Sequence, residues 1–376
     1  MNERQIKETV VKAGIELMKS GLIVRTWGNI SCRIDDTRFA VTPSGKPYET
    51  LRPEDIVVCN IANGKAAADS AGDTADTANT DTADRSENVK PSSEKGVHAL
   101  VYRFNREAGF VIHTHQRFAS AAASSNVSVI QDEKMGAIPV AAYGLPGTKK
   151  LVRNTEAVMA QANGAILMSH HGALCYGKEY GEAFSAAYAL EEACERFMQN
   201  SYMKAAGVKD FDKKQMLDYY VRKVAGDRRS GASHFAKDDV FRAVYAARPD
   251  IKHIELADDE NVVTVSLAQK PLPRLLDDFA QMMGRPMQIA RDNTPESVVK
   301  ALGKTNGVLI AGVGALCCAA TESDARALRF VTEKNALTEI CASMLGTPNP
   351  LSALDCFLMH LVYTKKYKNL GSKQGH

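Results

Sequence analysis

At 376 residues the chain is long enough for two domains of ordinary size. Its 45% hydrophobic and 24% charged content are those of a soluble globular protein, and 47 basic against 44 acidic residues leave a net charge of +3. So even a balance argues against nucleic acid or a membrane as partner, and the basic stretch from Lys365 to Lys373 reads as a solvated terminus.

No apolar run approaches membrane-spanning length, and the opening Met-Asn-Glu-Arg-Gln lacks the charged-then-apolar order of a secretion signal. The eight cysteines show no C-x-x-C pair. Several, such as Cys59 and Cys194, fall within apolar or helical patterns, where a thiol acts as a small hydrophobe. A reducing cytoplasm is the expected setting.

Ile6, Val10, Ala13 and Leu17 recur at helical spacing over residues 3–19, with Gly21 placed to end the helix. Strand character follows at Ile30 to Ile34, Arg38 to Thr42 and Ile56 to Asn60, separated by the turns Pro43-Ser44-Gly45 and Asn63-Gly64. Residues 65–88 are almost entirely Ala, Asp, Thr, Ser and Asn, and cannot bury enough surface to offset their ordering entropy. They are expected to form a disordered insertion, with bounds set at 65–90.

Helical periodicity resumes at Glu94, bringing His98, Val101 and Tyr102 near one another on the helix surface. An apolar strand carrying His113 and His115 comes next, then the loop Gly144-Leu145-Pro146-Gly147. A helix from about Lys150 to Ala162 leads to a strand at Ala165 to Met168, and a long helix covers residues 179–200.

Four of the nine histidines fall in two clusters, His113-Thr114-His115 and His170-His171. Alternate strand residues share a face, so His113 and His115 can reach one metal ion, with a third ligand from a later element. Three imidazoles near a carboxylate suit zinc and leave a coordination position open for chemistry. A lone strand histidine is more commonly a core side chain; the pairing with a distant third histidine is what favours a ligand set.

The second half repeats the first. Asn163-Gly164 through Gly172-Ala173-Leu174-Cys175 has its counterpart in Asn306-Gly307 through Gly314-Ala315-Leu316-Cys317, one residue shorter. At the offset of 143 positions set by Asn163 and Asn306, Ala99-Leu100-Val101-Tyr102 falls on Arg242-Ala243-Val244-Tyr245. Duplication explains both matches at one offset. The copies differ at the site: Glu94 meets Lys237, His113 meets Leu256, His115 meets Asp258, and after the deletion His171 meets Val313.

Thr26-Trp27-Gly28-Asn29-Ile30-Ser31, Thr42-Pro43-Ser44-Gly45, Pro91-Ser92-Ser93-Glu94, His98 ahead of Val101-Tyr102, His113-Thr114-His115 and His171-Gly172 occur in one order. In that order the chain resembles class II aldolase/adducin domains, which include fuculose-phosphate and rhamnulose-phosphate aldolases and ribulose-phosphate 4-epimerases. The resemblance covers roughly residues 3–200 and extends more weakly to about 345.

The resemblance implies an α/β fold, a three-layer α/β/α domain with a mainly antiparallel central sheet, used twice. Residues 1–205 would form the catalytic domain and 206–376 a degenerate second domain without metal ligands. His113, His115 and His171 would hold Zn2+, or another divalent ion such as Mn2+ or Co2+, acting as a Lewis acid towards a carbonyl and stabilising an enediolate. His170 reads as structural rather than as a fourth ligand. Glu94 matches the acid/base carboxylate; on sequence alone it would read as a helix-start glutamate in an S-x-x-E-like setting.

Phosphate contacts would map to Gly28, Asn29, Ser44, Gly45, Ser92 and Ser93, with Lys46 able to add charge. Taken singly, each of these residues reads as an ordinary turn residue.

The expected reaction is aldol cleavage of a phosphorylated ketose to dihydroxyacetone phosphate and an aldehyde. A 4-epimerase or dehydratase on the same scaffold, or a non-catalytic adducin-like scaffold, are the alternatives. Glu94 favours cleavage, because the epimerases carry aspartate there, whereas the Trp27-Gly28-Asn29 wording is common among epimerases. The tyrosine that aldolases use as proton donor has no match in Val129–Lys134; Tyr143 fits another family position, and nothing selects among Tyr202, Tyr219 and Tyr220. Single-copy relatives resemble four-fold tetramers, so two fused copies imply a homodimer with a pseudo-four-fold domain arrangement.

Overall fold

The computed structural model describes residues 1–67, 89–226 and 235–371, with side chains as far as Lys365. The insertion expected over 65–90 lies mostly outside the described residues, as do the side chains of the basic terminus beyond Lys365. The insertion's edges are folded: Asn60 N donates to the Lys65 carbonyl, Ala67 N to Val58 and Ser44 N to Lys90. The chain divides into two compact units, Met1–Ala119 with Ser128–Ala193, and Ser120–Val127 with Cys194–His376.

Helix α1 (Glu3–Lys19) begins with reciprocal hydrogen bonds between Asn2 and Gln5, and buries Ile6, Val10, Ala13 and Leu17 along one stripe. Strands β1 (Asn29–Arg33), β2 (Arg38–Val41) and β3 (Val57–Asn60) form an antiparallel meander. After α2 (Lys95–Phe104) come β4 (Phe110–Thr114), α3 (Arg117–Ala123), β5 (Val129–Asp132) and β6 (Gly136–Ala141). Then follow α4 (Lys149–Glu156), β7 (Ala165–Met168), β8 (Gly172–Gly177) and α5 (Tyr180–Ala206).

These strands make one eight-stranded sheet in the order β3-β2-β1-β4-β8-β7-β6-β5, antiparallel except for β6 beside β7. On one face Val97, Leu100 and Val101 of α2 and Leu151 of α4 pack on Val111, Ile166, Met168 and Leu174. Each such side chain contributes about 1.5–3 kcal/mol by leaving water. On the other face α1 packs against β1 and β2. The result is the expected three-layer α/β/α domain.

The second unit contains α6 (Lys213–Ala225), α7 (Lys237–Ala247), β9 (His253–Ala257), α8 (Glu260–Leu267), α9 (Asp277–Met283) and β10 (Gln288–Ile289). It continues with α10 (Pro295–Leu302), β11 (Gly307–Ile310), β12 (Gly314–Ala319), α11 (Glu322–Leu345) and α12 (Ala353–Gly371). Its sheet runs β10-β11-β12-β9, the same order as β6-β7-β8-β4, again with a single parallel pair at β10–β11. Among the described residues nothing in it corresponds to β1–β3.

Register shows the duplication residue by residue. His113 faces Leu174 across β4–β8, and Leu256 faces Leu316 across β9–β12, at the positions the repeat assigns. A Cβ on Gly172 would lie 2.1 Å from the Thr114 carbonyl oxygen, and one on Gly314 would lie 2.2 Å from that of Ala257. Both copies therefore need glycine for the same strand approach.

The missing residue lies ahead of β11. The turns 169–171 and 311–313 are equally long, and Ala165–Cys175 and Gly307–Cys317 are equivalent pairs. Gly164 sits in a turn at φ 81°, whereas Gly307 is already in its strand, so the two Asn-Gly pairs are offset by one.

Candidate metal centre

Strand β4 ends in the middle of the sheet, and its alternation turns Val111 and His113 towards α2. His115 follows just beyond the strand end, and His171 enters from the turn ahead of β8. The three imidazole centroids form a triangle with every side 4.8 Å. One nitrogen from each lies within 4.8 Å of the others, and the Nε2 atoms of His113 and His115 are 3.0 Å apart. All three residues are buried.

Glu94 caps the N-terminus of α2 with φ −102° and ψ 10°, but its side chain makes no capping bond. The carboxylate turns inward instead, with Oε1 2.7 Å from His171 Nε2 and Oε2 3.2 Å from His113 Nε2. Glu94 thus stands at the helix start, as its sequence setting suggests, with its carboxylate directed at the histidines. Ser92 Oγ accepts from Glu94 N at 3.2 Å, which fixes the turn leading into α2.

The donor chemistry fits a divalent cation. His113 Nδ1 lies 2.9 Å from the Ala173 carbonyl, which can only accept, so Nδ1 carries the proton and Nε2 presents a lone pair. Burial pushes His113 below its ordinary value, against the opposing pull of the Glu94 charge. Burial alone would raise Glu94, but His113 first, then His171 and His115, hold it well below the usual carboxylate range. Three nitrogens and one carboxylate converging in a buried space are the ligand set that suits zinc, with Mn2+ and Co2+ as close alternatives. His170 turns away from this trio and packs edge-on against Tyr143, with centroids 5.6 Å apart.

A second row of polar side chains backs the carboxylate. Asn29 lies on β1 directly beside His113, and Ser31 shares its face two residues on. Asn29 Nδ2 donates to Glu94 Oε2 at 2.8 Å, and Asn29 Oδ1 lies 2.5 Å from His98 Nε2. His98 Nδ1 is 2.7 Å from Ser31 Oγ, which is 2.8 Å from the Tyr102 hydroxyl. Sequence reasoning placed His98, Ser31 and Tyr102 in motifs but gave them no part in the site. The available signal was spacing: His98 is one helical turn beyond Glu94, and Ser31 alternates with Asn29.

The residues expected to contact phosphate fall into two groups. The turn holding Ser44 and Gly45 lies beside the segment holding Ser92 and Ser93, through a Pro43–Pro91 bridge and a Ser92 N to Thr42 O bond of 3.1 Å. Ser44, Gly45 and Ser93 are exposed, and Gly45 takes φ 75°. Gly28 and Asn29 lie at the start of β1, with the Gly28 carbonyl accepting from the Tyr48 hydroxyl at 2.8 Å. Gly28 takes φ 153°, and a Cβ there would lie 2.9 Å from the His113 carbonyl, so its glycine also has a structural cause.

Lys46, considered as an added charge, is ion-paired with Asp55. Of the tyrosines left open, Tyr219 donates to the Ala205 carbonyl and Tyr220 to Glu339, while Tyr202 is buried against Phe211 and Tyr219. All eight cysteines are free thiols, and no helix among the described residues is long and apolar enough to cross a membrane.

Comparison with known proteins agrees with this architecture. The model of the class II aldolase and adducin N-terminal domain matches residues 8–198 and again 211–340. A probable L-ribulose-5-phosphate 4-epimerase of Mycoplasma pneumoniae is 29% identical over 245 residues, covering 57% of this chain and 93% of that protein. An L-fuculose phosphate aldolase of Haemophilus influenzae is 28% identical over 197 residues, covering 51% of this chain and 81% of its own. Among solved structures, an L-fuculose 1-phosphate aldolase aligns over 57% of this chain and 93% of its own at 23% identity, with a TM-score of 0.44.

Proposed function

The chain belongs to the class II aldolase and adducin family, as a tandem duplication with a degenerate second copy, and on that premise we propose that it is a metal-dependent aldolase. Its substrate would be a phosphorylated ketose of the fuculose- or rhamnulose-phosphate type, cleaved to dihydroxyacetone phosphate and an aldehyde. The observation that carries this reading is the closed triangle of His113, His115 and His171 with the Glu94 carboxylate against two of its members. A bound divalent ion supplies a Lewis acid for carbonyl and hydroxyl oxygens.

In the cleavage, the C4 hydroxyl would give its proton to Glu94, a carboxylate at rest, as the C3–C4 bond breaks. C4 becomes the aldehyde carbonyl, and the electron pair stays with the three-carbon fragment. A proton must then be added at C3. Glu94 is the group for that step: buried and close to the ligand nitrogens, it would return to C3 the proton it took from the C4 hydroxyl. Gly28, Asn29, Ser44, Gly45, Ser92 and Ser93 would hold the phosphate through backbone N–H groups and hydroxyls.

Residues 1–205 would make up the catalytic domain and 206–376 its degenerate partner. Two chains would associate as a homodimer, which light scattering reads directly; a monomeric mass sinks it. Eight free thiols fit the reducing cytoplasm as the compartment.

The deciding experiment is a coupled assay for dihydroxyacetone phosphate over a panel of ketose phosphates, with and without chelator. Chelator-sensitive release is expected; metal-loaded protein that releases none ends the aldolase reading. A 4-epimerase is the second reading, favoured by the identity to the Mycoplasma pneumoniae relative. NMR of the product separates the two, because epimerisation retains carbon number.

A further inference from the structure

The chain of side chains behind Glu94 can run in only one direction. A carboxylate accepts, so Asn29 must present its Nδ2 to Glu94 Oε2, which fixes Oδ1 towards His98. Oδ1 also only accepts, so His98 Nε2 must carry the proton. The neutral ring then has a lone pair on Nδ1, and Ser31 must donate its hydroxyl hydrogen there. Ser31 is left with lone pairs, so the Tyr102 hydroxyl donates to it.

The reverse order fails in two ways. A proton on His98 Nδ1 would set its Nε2 lone pair against Asn29 Oδ1. Turning the amide over would instead set Oδ1 against Glu94. Either arrangement buries two facing acceptors, and His98, Ser31, Asn29 and Glu94 are all buried. Burial supports the same state by pushing His98 down to about 4, so the ring is neutral at physiological pH.

We propose that His98 is a positioning residue: as its Nε2–H tautomer, with Ser31 and Tyr102 satisfying Nδ1 behind it, it locks the Asn29 amide so that one Nδ2 hydrogen stays on Glu94 and only the second remains for substrate. Asn29 is thus committed to the carboxylate as well as to any phosphate. This inference rests on the reading that Glu94 moves the proton, but its first test does not depend on turnover.

The test is NMR of protein labelled with 15N-histidine, with the His98 signals identified by their loss in His98→Gln. The expected spectrum has the hydrogen on Nε2 and an unprotonated Nδ1. The Nδ1–H tautomer, or an averaged mixture of the two, overturns the proposal. Asn29→Ala removes the acceptor that fixes the proton on Nε2, and should convert the single form to a mixture; an unchanged pattern counts against the proposal.

On turnover, His98→Leu should lower kcat by about 10–100-fold with KM nearly unchanged, the usual cost of losing an outer-sphere partner. His98→Gln, whose amide N–H can reach Asn29, should recover much of it. A folded, zinc-binding His98→Leu protein with wild-type kcat overturns the proposal. If His98→Leu does not fold, the tautomer measurement on the wild type still decides. Should the wild type cleave no sugar phosphate, the aldolase reading falls, and the spectrum alone decides the role of His98.

Discussion

His170 and Gly312 hold the same place in the turns of the two copies, and both have left-handed backbones, at φ 61° and 72°. Glycine takes that conformation without penalty, whereas an L side chain with a Cβ gives up about 1–2 kcal/mol. The first copy accepts that cost and packs the His170 ring edge-on against Tyr143. Such an aromatic pair returns about 0.5–1.5 kcal/mol. His170→Gly should therefore change stability by less than about 1 kcal/mol and leave metal content intact. His171→Gly, one residue on, should lose the metal. Calorimetry with metal analysis reads both; loss of metal from a folded His170→Gly protein would make His170 a ligand after all.

The ligand trio gives a sharper separation between binding and chemistry. Replacing His113, His115 or His171 by alanine should weaken zinc binding by more than about 100-fold, beyond the range expected for outer-sphere partners. The second copy cannot compensate, since Leu256, Asp258 and Val313 stand at the matching positions. Glu94→Gln keeps the shape and the oxygen towards the histidines, so it should hold zinc within about tenfold while turnover collapses. Competition with a chromogenic chelator measures the first quantity, and the triose-phosphate assay the second. Equal loss of both in Glu94→Gln would make Glu94 chiefly a ligand.

Gly172 and Gly314 test the duplication as a matter of packing. Each lets its strand pass a neighbouring carbonyl, of Thr114 or Ala257, at a distance no Cβ tolerates. Alanine at either position should cost about 3 kcal/mol or more, because a backbone atom and not a flexible side chain must yield. The consequences should then diverge. Thr114 lies between two ligands, so Gly172→Ala should also release metal, while Gly314→Ala should not. Denaturant titrations with metal analysis would show this; a Gly314→Ala protein as stable as the wild type would contradict the shared packing.

What the sequence made legible was whatever repeats at short range. The H-x-H alternation, the repeat offset and most strand positions could be read from spacing, because strand and helix periods are local properties, whereas His171 was singled out by the family resemblance. Glu94 could not be placed by that route, since its S-x-x-E-like setting is equally a helix start. Only the packing of α2 against β1 and β4 turns its carboxylate inward. The same holds for His98: its partners Ser31 and Asn29 lie 67 and 69 residues away in sequence. The position of the deletion was hidden too, because two Asn-Gly pairs looked equivalent until strand register showed Gly164 in a turn and Gly307 in a strand.

The two units should respond to acid in opposite senses. In the first, burial holds His98 at about 4 against an ordinary 6.5, so between those values the unfolded chain binds a proton that the folded chain does not. Stability present above pH 6.5 is then lost as pH falls towards 4, by about 3 kcal/mol in all. In the second, burial raises Glu339 from 4.5 to about 6, so the folded chain keeps a proton that the unfolded chain has released. Stability present below pH 4.5 is lost as pH rises through 6, by about 2 kcal/mol. Glu339→Gln mimics the protonated carboxyl, and should stabilise the second unit at pH 7–8 by about 1–2 kcal/mol while flattening its pH dependence. Hydrogen exchange followed on peptides from α2 and α11 between pH 7 and 5 reads the units separately. Slopes of the same sign in both, or a Glu339→Gln protein no more stable at pH 8, would show that these two buried groups do not govern the response.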